Sequence, residues 1–372
     1  MTSAAFSAAE QEVVARAWLE CAGLSGLETR VHPRDEMFGF IAAGSPRSDA
    51  HLFEYLRSGQ EAFRIVEHVL AEHGCRLERV ERLLDFACGC GRVARFFVHA
   101  LGAARVAAAE IDPQALAFVG DTLGVATIAS ATDPQALRLG GDHDVVFVGS
   151  LFSHLPRPRF VAWLRALARG LRPDGLLVFT THGEGVRGGQ PADPTGFTFV
   201  PVSETSRLDP HEYGSAFVRP EVVHELVREA GLTPLGWAER EVWDLQDVFV
   251  ARRSGGGEPR RLPGAPIVYG RIERACLPRP GHAWVGGGTR LLADDAPLQE
   301  VRLIVDGHDL GATNLGPSVA DASGLPGGAR VTQEWYAEGP TTGLAAGLHG
   351  VCAVATTATG RREAFGARGL RI

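Results

Sequence analysis

Residues 83–93 read LLDFACGCGRV. An apolar run carries Asp85 near its end, and Gly89 and Gly91 follow with a cysteine between them. Glycines in a turn after a strand let the backbone pass close beneath a ligand, where a Cβ would collide. The competing reading of the same letters is a metal pair, Cys88 and Cys90. Zinc sites need spacings such as C-x-x-C that let ligands converge, and none of the six cysteines (Cys21, Cys75, Cys88, Cys90, Cys276, Cys352) forms such a pair. Reduced, partly buried thiols are expected instead. A Cys276–Cys352 disulfide is the minor alternative, since both fall in a C-terminal β-like region.

Outward from this turn, strand and helix patterns alternate. RLLDFAC (82–88) leads to GRVARFFVHALG (91–102), then RVAAAEI (105–111) to DPQALAFVGDTLG (112–124). VATIAS (125–130) and DVVFVGS (144–150) follow, then the helix RFVAWLRALARGL (159–171) and the strand LLVFTTHG (176–183). Near-continuous apolar strands separated by helices predict a parallel sheet covered on both faces. The helix PEVVHELVREAG (220–231) is followed by LTPLGWAEREV (232–242) and QDVFVARR (246–253), close enough to pair as an antiparallel hairpin at the sheet edge.

Upstream, residues 1–80 read as a helical segment leading into this domain, with GQEAFRIVEHVLAEHG (59–74) clearly amphipathic. The α/β domain spans 81–253. Residues 254–264, rich in Gly and Pro, read as a linker without regular structure. From 265 to 372 apolar and polar residues alternate between Gly, Pro and Asp turns, which predicts a small antiparallel β-sandwich.

Composition narrows the function. The net charge of −7 argues against a nucleic-acid backbone as the main partner. All 37 basic residues are arginine, so lysine chemistry is excluded: no P-loop lysine, no Schiff base. No stretch approaches the ~20 apolar residues of a membrane span. The opening MTSAAFSAAEQEVV lacks the basic region of a secretory signal, so a cytoplasmic location is expected.

Glu110 stands at the end of the strand after the glycine turn, where a carboxylate can accept from both ribose hydroxyls of a nucleoside. A dinucleotide would need its pyrophosphate on a helix N-terminus with G-x-G-x-x-G spacing, and Ala94 stands where the last glycine is sought. S-adenosylmethionine has no phosphate to seat. A nucleotide-dependent oxidoreductase remains the alternative, as does a non-catalytic adaptor with a relic domain.

Residues 35–252 resemble a class I S-adenosylmethionine-dependent methyltransferase, of the bacterial branch with LDFGCGCGR-like motifs. The resemblance rests on LDFACGCGR (84–92), SLFSHLP (150–156), LRPDG (171–175), TTHG (180–183), YGSAF (213–217) and QDVFVARR (246–253). It implies a Rossmann-like seven-stranded sheet with an antiparallel terminal hairpin. It also implies S-adenosyl-L-methionine bound by Asp85, Ala87, Gly89, Gly91, Glu110, Ile111, Ser150 and Phe152, with Tyr55 and Gly59 closing over it. Ala87 replaces the branch's first glycine. A base that takes the acceptor's proton would be His154, unless that histidine only packs the loop. His182, Tyr213 and Phe217 would line the acceptor. The methyl would pass to an oxygen or nitrogen of a small molecule or glycan. The C-terminal part resembles immunoglobulin-like modules of bacterial enzymes, through PLQEVRLIVDGHDLGATN (297–314), and would dock a protein or glycan partner. Asp142 and Asp144 read as turn and strand-start residues rather than an acid/base pair.

Overall fold

The computed structural model describes residues 6–45, 47–202, 208–292, 298–321 and 330–372. The chain divides into two compact units, one of Met1–Ser58 with Pro266–Ile372 and one of Gly59–Ala265. Three helices come first: α1 (Ala8–Cys21), α2 (Glu36–Gly44) and α3 (His51–Glu72). A capping box at Ser7 and Glu10 starts α1, satisfying backbone donors that a helix start otherwise leaves unpaired. Asp35 caps α2. The division between units falls inside α3.

The second unit holds the predicted alternation. Its strands are β1 (Leu83–Phe86), β2 (Val106–Glu110), β3 (Ala126–Ala129), β4 (His143–Val148), β5 (Leu171–His182), β6 (Phe197–Val200), β7 (Ser215–Val218), β8 (Thr233–Val242), β9 (Gln246–Arg252) and β10 (Arg260–Arg261). The interleaved helices are α4 (Ala94–Leu101), α5 (Pro113–Leu123), α6 (Arg157–Ala168) and α7 (Pro220–Glu229). The main path of the sheet runs β10-β8-β9-β5-β4-β1-β2-β3. β1 to β5 are parallel, and β9 is antiparallel to both β5 and β8. Every residue of β1 and β4 is buried, which is why these strands read as near-continuous apolar runs.

Seven of these strands, β3-β2-β1-β4-β5-β9-β8, form the expected run with its terminal hairpin. The sequence reading missed the rest of the ten-stranded sheet. Arg260 and Arg261, inside the predicted linker, pair in parallel with Gly236 and Trp237, and the Leu262 amide then donates to the Trp237 carbonyl at 2.7 Å. Two residues of edge pairing carry no periodicity, so composition alone called this segment structureless. β6 and β7 pair antiparallel in the stretch after β5, where the sequence reading placed no strand, and β7 meets the end of β5 through His182 and Phe217. Residues 203–207 of that stretch lie outside the described residues.

The first unit carries two four-stranded antiparallel sheets built from β11 (Tyr269–Arg279), β12 (His282–Leu292), β13 (Leu298–Val305), β14 (His308–Ala312), β15 (Asn314–Asp321), β16 (Arg330–Pro340), β17 (Leu348–Thr357) and β18 (Arg362–Arg371). Their orders are β11-β12-β16-β15 and β14-β13-β17-β18, and residues from both sheets share one apolar core, with Trp335 set edge-on to Phe365. Residues 1–58, expected to lead into the α/β domain, are grouped here because α1 buries Val14, Trp18 and Leu19 and the Trp18 indole donates to the Ala364 carbonyl at 3.0 Å. The six cysteines are thiols rather than disulfides, and the Cys352 thiol faces Cys21 of α1 rather than Cys276. The Cys276–Cys352 pairing is therefore corrected. The two lie on strands of different sheets, β11 and β17. Among the described residues no helix is long and apolar enough to cross a membrane.

Candidate functional site

In a parallel sheet, ligands bind beyond the carboxyl ends of the strands where the strand order reverses. Here that point lies between β1 and β4, since β2 and β3 continue on one side of β1 and β5 on the other side of β4. The turn after β1 and the loop after β4 flank it.

Both segments hold backbone that side chains disfavour. Ala87 has φ 56° and Ser150 has φ 66°. A left-handed residue with a Cβ costs roughly 1–2 kcal/mol, and such strain gathers at functional sites. Gly89 (φ 56°) and Gly91 (φ 78°) share the conformation. The two glycines differ in surroundings: a Cβ at Gly89 would meet nothing within 4 Å, whereas one at Gly91 would press on Leu123 and Val119 of α5. Gly89 thus leaves room above the turn, and Gly91 allows the turn to pack on its helix. Replacing Ala87 by glycine is expected to relieve the strain and stabilise the protein by about 1 kcal/mol, less the added entropy of the unfolded chain. A thermal melt of Ala87→Gly that shows a lower midpoint would contradict this.

Glu110 ends β2 as a buried carboxylate and organises the turn. Its Oε2 accepts from the Gly89 amide at 2.8 Å, while Oε1 accepts from the Ile111 amide at 2.7 Å and the Asp112 amide at 3.1 Å. The Ile111 side chain is exposed. Asp85 is buried on β1, at 2% exposure, and its Oδ2 has no hydrogen-bond partner. Burial first, and then the neighbouring Glu110 carboxylate, push the Asp85 carboxyl up to about 8.

The loop after β4 is pinned from two strands. The Ser150 amide donates to Thr180 Oγ1 at 2.8 Å, and Gln246 Nε2 donates to Ser150 Oγ at 2.7 Å. Phe152 is fully buried against Phe160 and Phe179, so any cofactor contact from it is left to its backbone. His154 places Nδ1 2.8 Å from the Gly214 carbonyl and stacks on Tyr213, with centroids 4.7 Å apart. His182 stacks on Phe217 and sets its ring edge-on to His154 at 6.0 Å. Burial, with His154 adding, holds His182 down at about 4, so it is neutral at physiological pH. The structure thus gathers His154, His182, Tyr213 and Phe217 at one edge.

Tyr55 belongs to the first unit, where its hydroxyl donates to Asp35 Oδ2 at 2.6 Å. Asp144 sits at the opposite, amino end of β4, taking the Glu81 and Arg82 amides and pairing with Arg172. That is a structural role, as the sequence suggested.

Sequence reasoning missed three residues at this edge. Gln246 and Asp247 begin β9, opposite His182 and Thr181, and both are buried. Burial pushes the Asp247 carboxyl up to about 7, against the Arg240 amide that donates to it at 2.8 Å. Trp243, in the hairpin turn, lies under the Arg92 guanidinium at 4.1 Å, and its amide donates to Glu61 at 2.7 Å. The available signal was two polar letters opening an otherwise apolar strand.

Residues 83–175 match a family model described as a methyltransferase domain. That span holds the glycine turn, Glu110 and the loop from Ser150 to His154. Among solved structures, the chain is similar to magnesium protoporphyrin IX methyltransferase from Synechocystis with bound SAH, at 14% identity over 54% of this chain and 86% of that one, with a TM-score of 0.38. It is similar to 1,6-didemethyltoxoflavin-N1-methyltransferase from Burkholderia thailandensis, at 16% identity over 61% and 93%, with a TM-score of 0.38. It is also similar to the CcbJ methyltransferase from Streptomyces caelestis, at 20% identity over 53% and 90%, again at 0.38. At such TM-scores these likenesses locate no residue of the site. No curated protein matches the chain.

Proposed function

We propose that the crevice between β1 and β4 binds S-adenosyl-L-methionine and that the protein transfers its methyl group to an oxygen or nitrogen of a small molecule or glycan. The observation that carries this reading is the Glu110 carboxylate holding the Gly89 amide beneath open space. The methyltransferase-domain match over 83–175 supports it. So does the chemistry of the floor: an unpartnered Asp85 oxygen asks for a donor, and a cationic amino acid supplies one.

Bound there, the cofactor supplies a methyl group on a positively charged sulfur. The chain supplies position. A carboxylate has about four acceptor directions, and three on Glu110 are taken by backbone amides. Oε2 keeps one direction for a ribose hydroxyl. A second hydroxyl must displace the Asp112 amide, the longest of the three bonds. Ile111 offers its exposed side chain to the adenine.

His154 is the residue we assign to proton removal. Its Nδ1 faces the Gly214 carbonyl, which only accepts, so a neutral ring would carry its proton on that nitrogen. That tautomer takes a proton from an acceptor hydroxyl or amine. Neutral His182, Tyr213 and Phe217 form the acceptor wall. The β-strand unit is read as an immunoglobulin-like module that docks a protein or glycan, a reading supported by its two antiparallel sheets around Trp335 and Phe365.

Calorimetric titration tests the class. S-adenosylhomocysteine is expected to bind with a micromolar Kd, corresponding to about −8 kcal/mol, and NADH to give no heat. Binding of NADH instead would favour the oxidoreductase. An acceptor screen with labelled methyl donor would then name the substrate.

A further inference from the structure

The floor of the crevice holds two carboxyl groups and too few donors. Glu110 uses both oxygens on three backbone amides. Asp85, one strand away, takes the Ala94 amide on one oxygen and leaves the other buried without a partner. A buried acceptor without a donor is costly, and two like charges at one end of a sheet add to that cost. A neutral carboxylic acid removes the like-charge repulsion and lowers the cost of the unpartnered oxygen while the crevice holds no cation.

We propose that binding of the S-adenosyl ligand converts Asp85 from carboxylic acid to carboxylate, so that a proton leaves the site as the cofactor enters. This rests on the methyltransferase reading of the crevice. The proton passes from the Asp85 carboxyl to solvent, and no bond to the cofactor forms or breaks. The ligand's ammonium supplies both the missing donor and the opposite charge that stabilises the anion.

The groups around Asp85 are consistent with this assignment. Glu110 on β2 opposes ionisation, and Arg92 after the turn favours it. The Cys88 thiol also interacts with Asp85, and burial together with the two carboxyls keeps that thiol protonated. The register neighbours of Asp85, Ala108 on β2 and Phe147 on β4, are uncharged.

The linkage has a defined sign. Below the raised value of about 8, the ligand-free carboxyl is mostly protonated. Ligand affinity then rises about tenfold per pH unit, from pH 6 to 7, as the fraction already ionised grows. The measurement belongs below about pH 7, where the ligand's own α-ammonium is almost fully protonated and, of the two groups, Asp85 alone changes its state.

The experiment is calorimetric titration of the whole protein with S-adenosylhomocysteine at pH 6.5, in phosphate and in imidazole, buffers of different ionisation enthalpy. The heat is expected to depend on the buffer with a slope close to one released proton. Infrared difference spectra should lose a protonated-carboxyl C=O band on ligand addition. Asp85→Asn should bind without releasing a proton and with an affinity flat between pH 6 and 7. Binding by the unaltered protein with no buffer dependence and no loss of the carboxyl band overturns the proposal, even if the variant does not fold. Proton release that persists in Asp85→Asn overturns it equally. No heat in any buffer would instead reject the methyltransferase reading itself.

Discussion

Glu110→Ala is expected to weaken S-adenosylhomocysteine binding at least tenfold and to destabilise the second unit by about 2 kcal/mol. Two losses combine. A ribose hydroxyl loses a charged acceptor, worth about 1.5–3 kcal/mol, or roughly 10–150-fold in affinity. The amides of Gly89, Ile111 and Asp112 lose the oxygens that hold the glycine turn to the end of β2. Water can solvate some of these donors in the emptied space, which keeps the folding cost moderate. The more informative companion is Glu110→Gln. Its single amide oxygen can still serve Ile111 and Asp112, but its NH2 then faces the Gly89 amide, donor against donor. Binding in this variant should fall between wild type and alanine. Calorimetry and a thermal melt on the same samples separate the two effects, and wild-type affinity in Glu110→Ala would remove Glu110 from the site.

Much of this arrangement is legible in the sequence because its signals are local. The strand before the turn, the glycines in it and a carboxylate ending the next strand sit at spacings that the backbone itself imposes. The parallel order follows from the buried, near-continuous apolar strands. What stays hidden depends on pairing across long separations. β10 is two arginines held by Gly236 and Trp237, and nothing in its composition marks a strand. Gln246 reaches Ser150 only because β9 runs antiparallel beside β5, nearly a hundred residues along the chain from that loop. Cys352 and Cys21 face each other because α1 packs on β17, although most of the chain separates them. Ala87 shows the limit from the other side. As a letter it reads as a small departure from a family glycine, and only its φ of 56° reveals the cost.

Gly59→Ala carries the second large effect, since it strikes the backbone beside the glycine turn. A Cβ on Gly59 would stand 2.2 Å from the Arg92 carbonyl oxygen and 2.9 Å from the Phe96 ring. The ring edge can give way, but a carbonyl of the turn cannot without moving the start of α4. The substitution is expected to cost about 3 kcal/mol, at the upper end of overpacking penalties, and to loosen cofactor binding through Arg92. Helix propensity alone predicts the opposite, a gain of about 1 kcal/mol for alanine over glycine. Gly39, in α2, provides the control: a Cβ there meets nothing within 4 Å. Gly39→Ala should therefore be neutral or slightly stabilising in denaturant titration, while Gly59→Ala shifts the midpoint sharply down. Equal behaviour of the two variants would mean that α3 does not approach the turn as closely as 2.2 Å implies, and the role of Gly59 would fall with it.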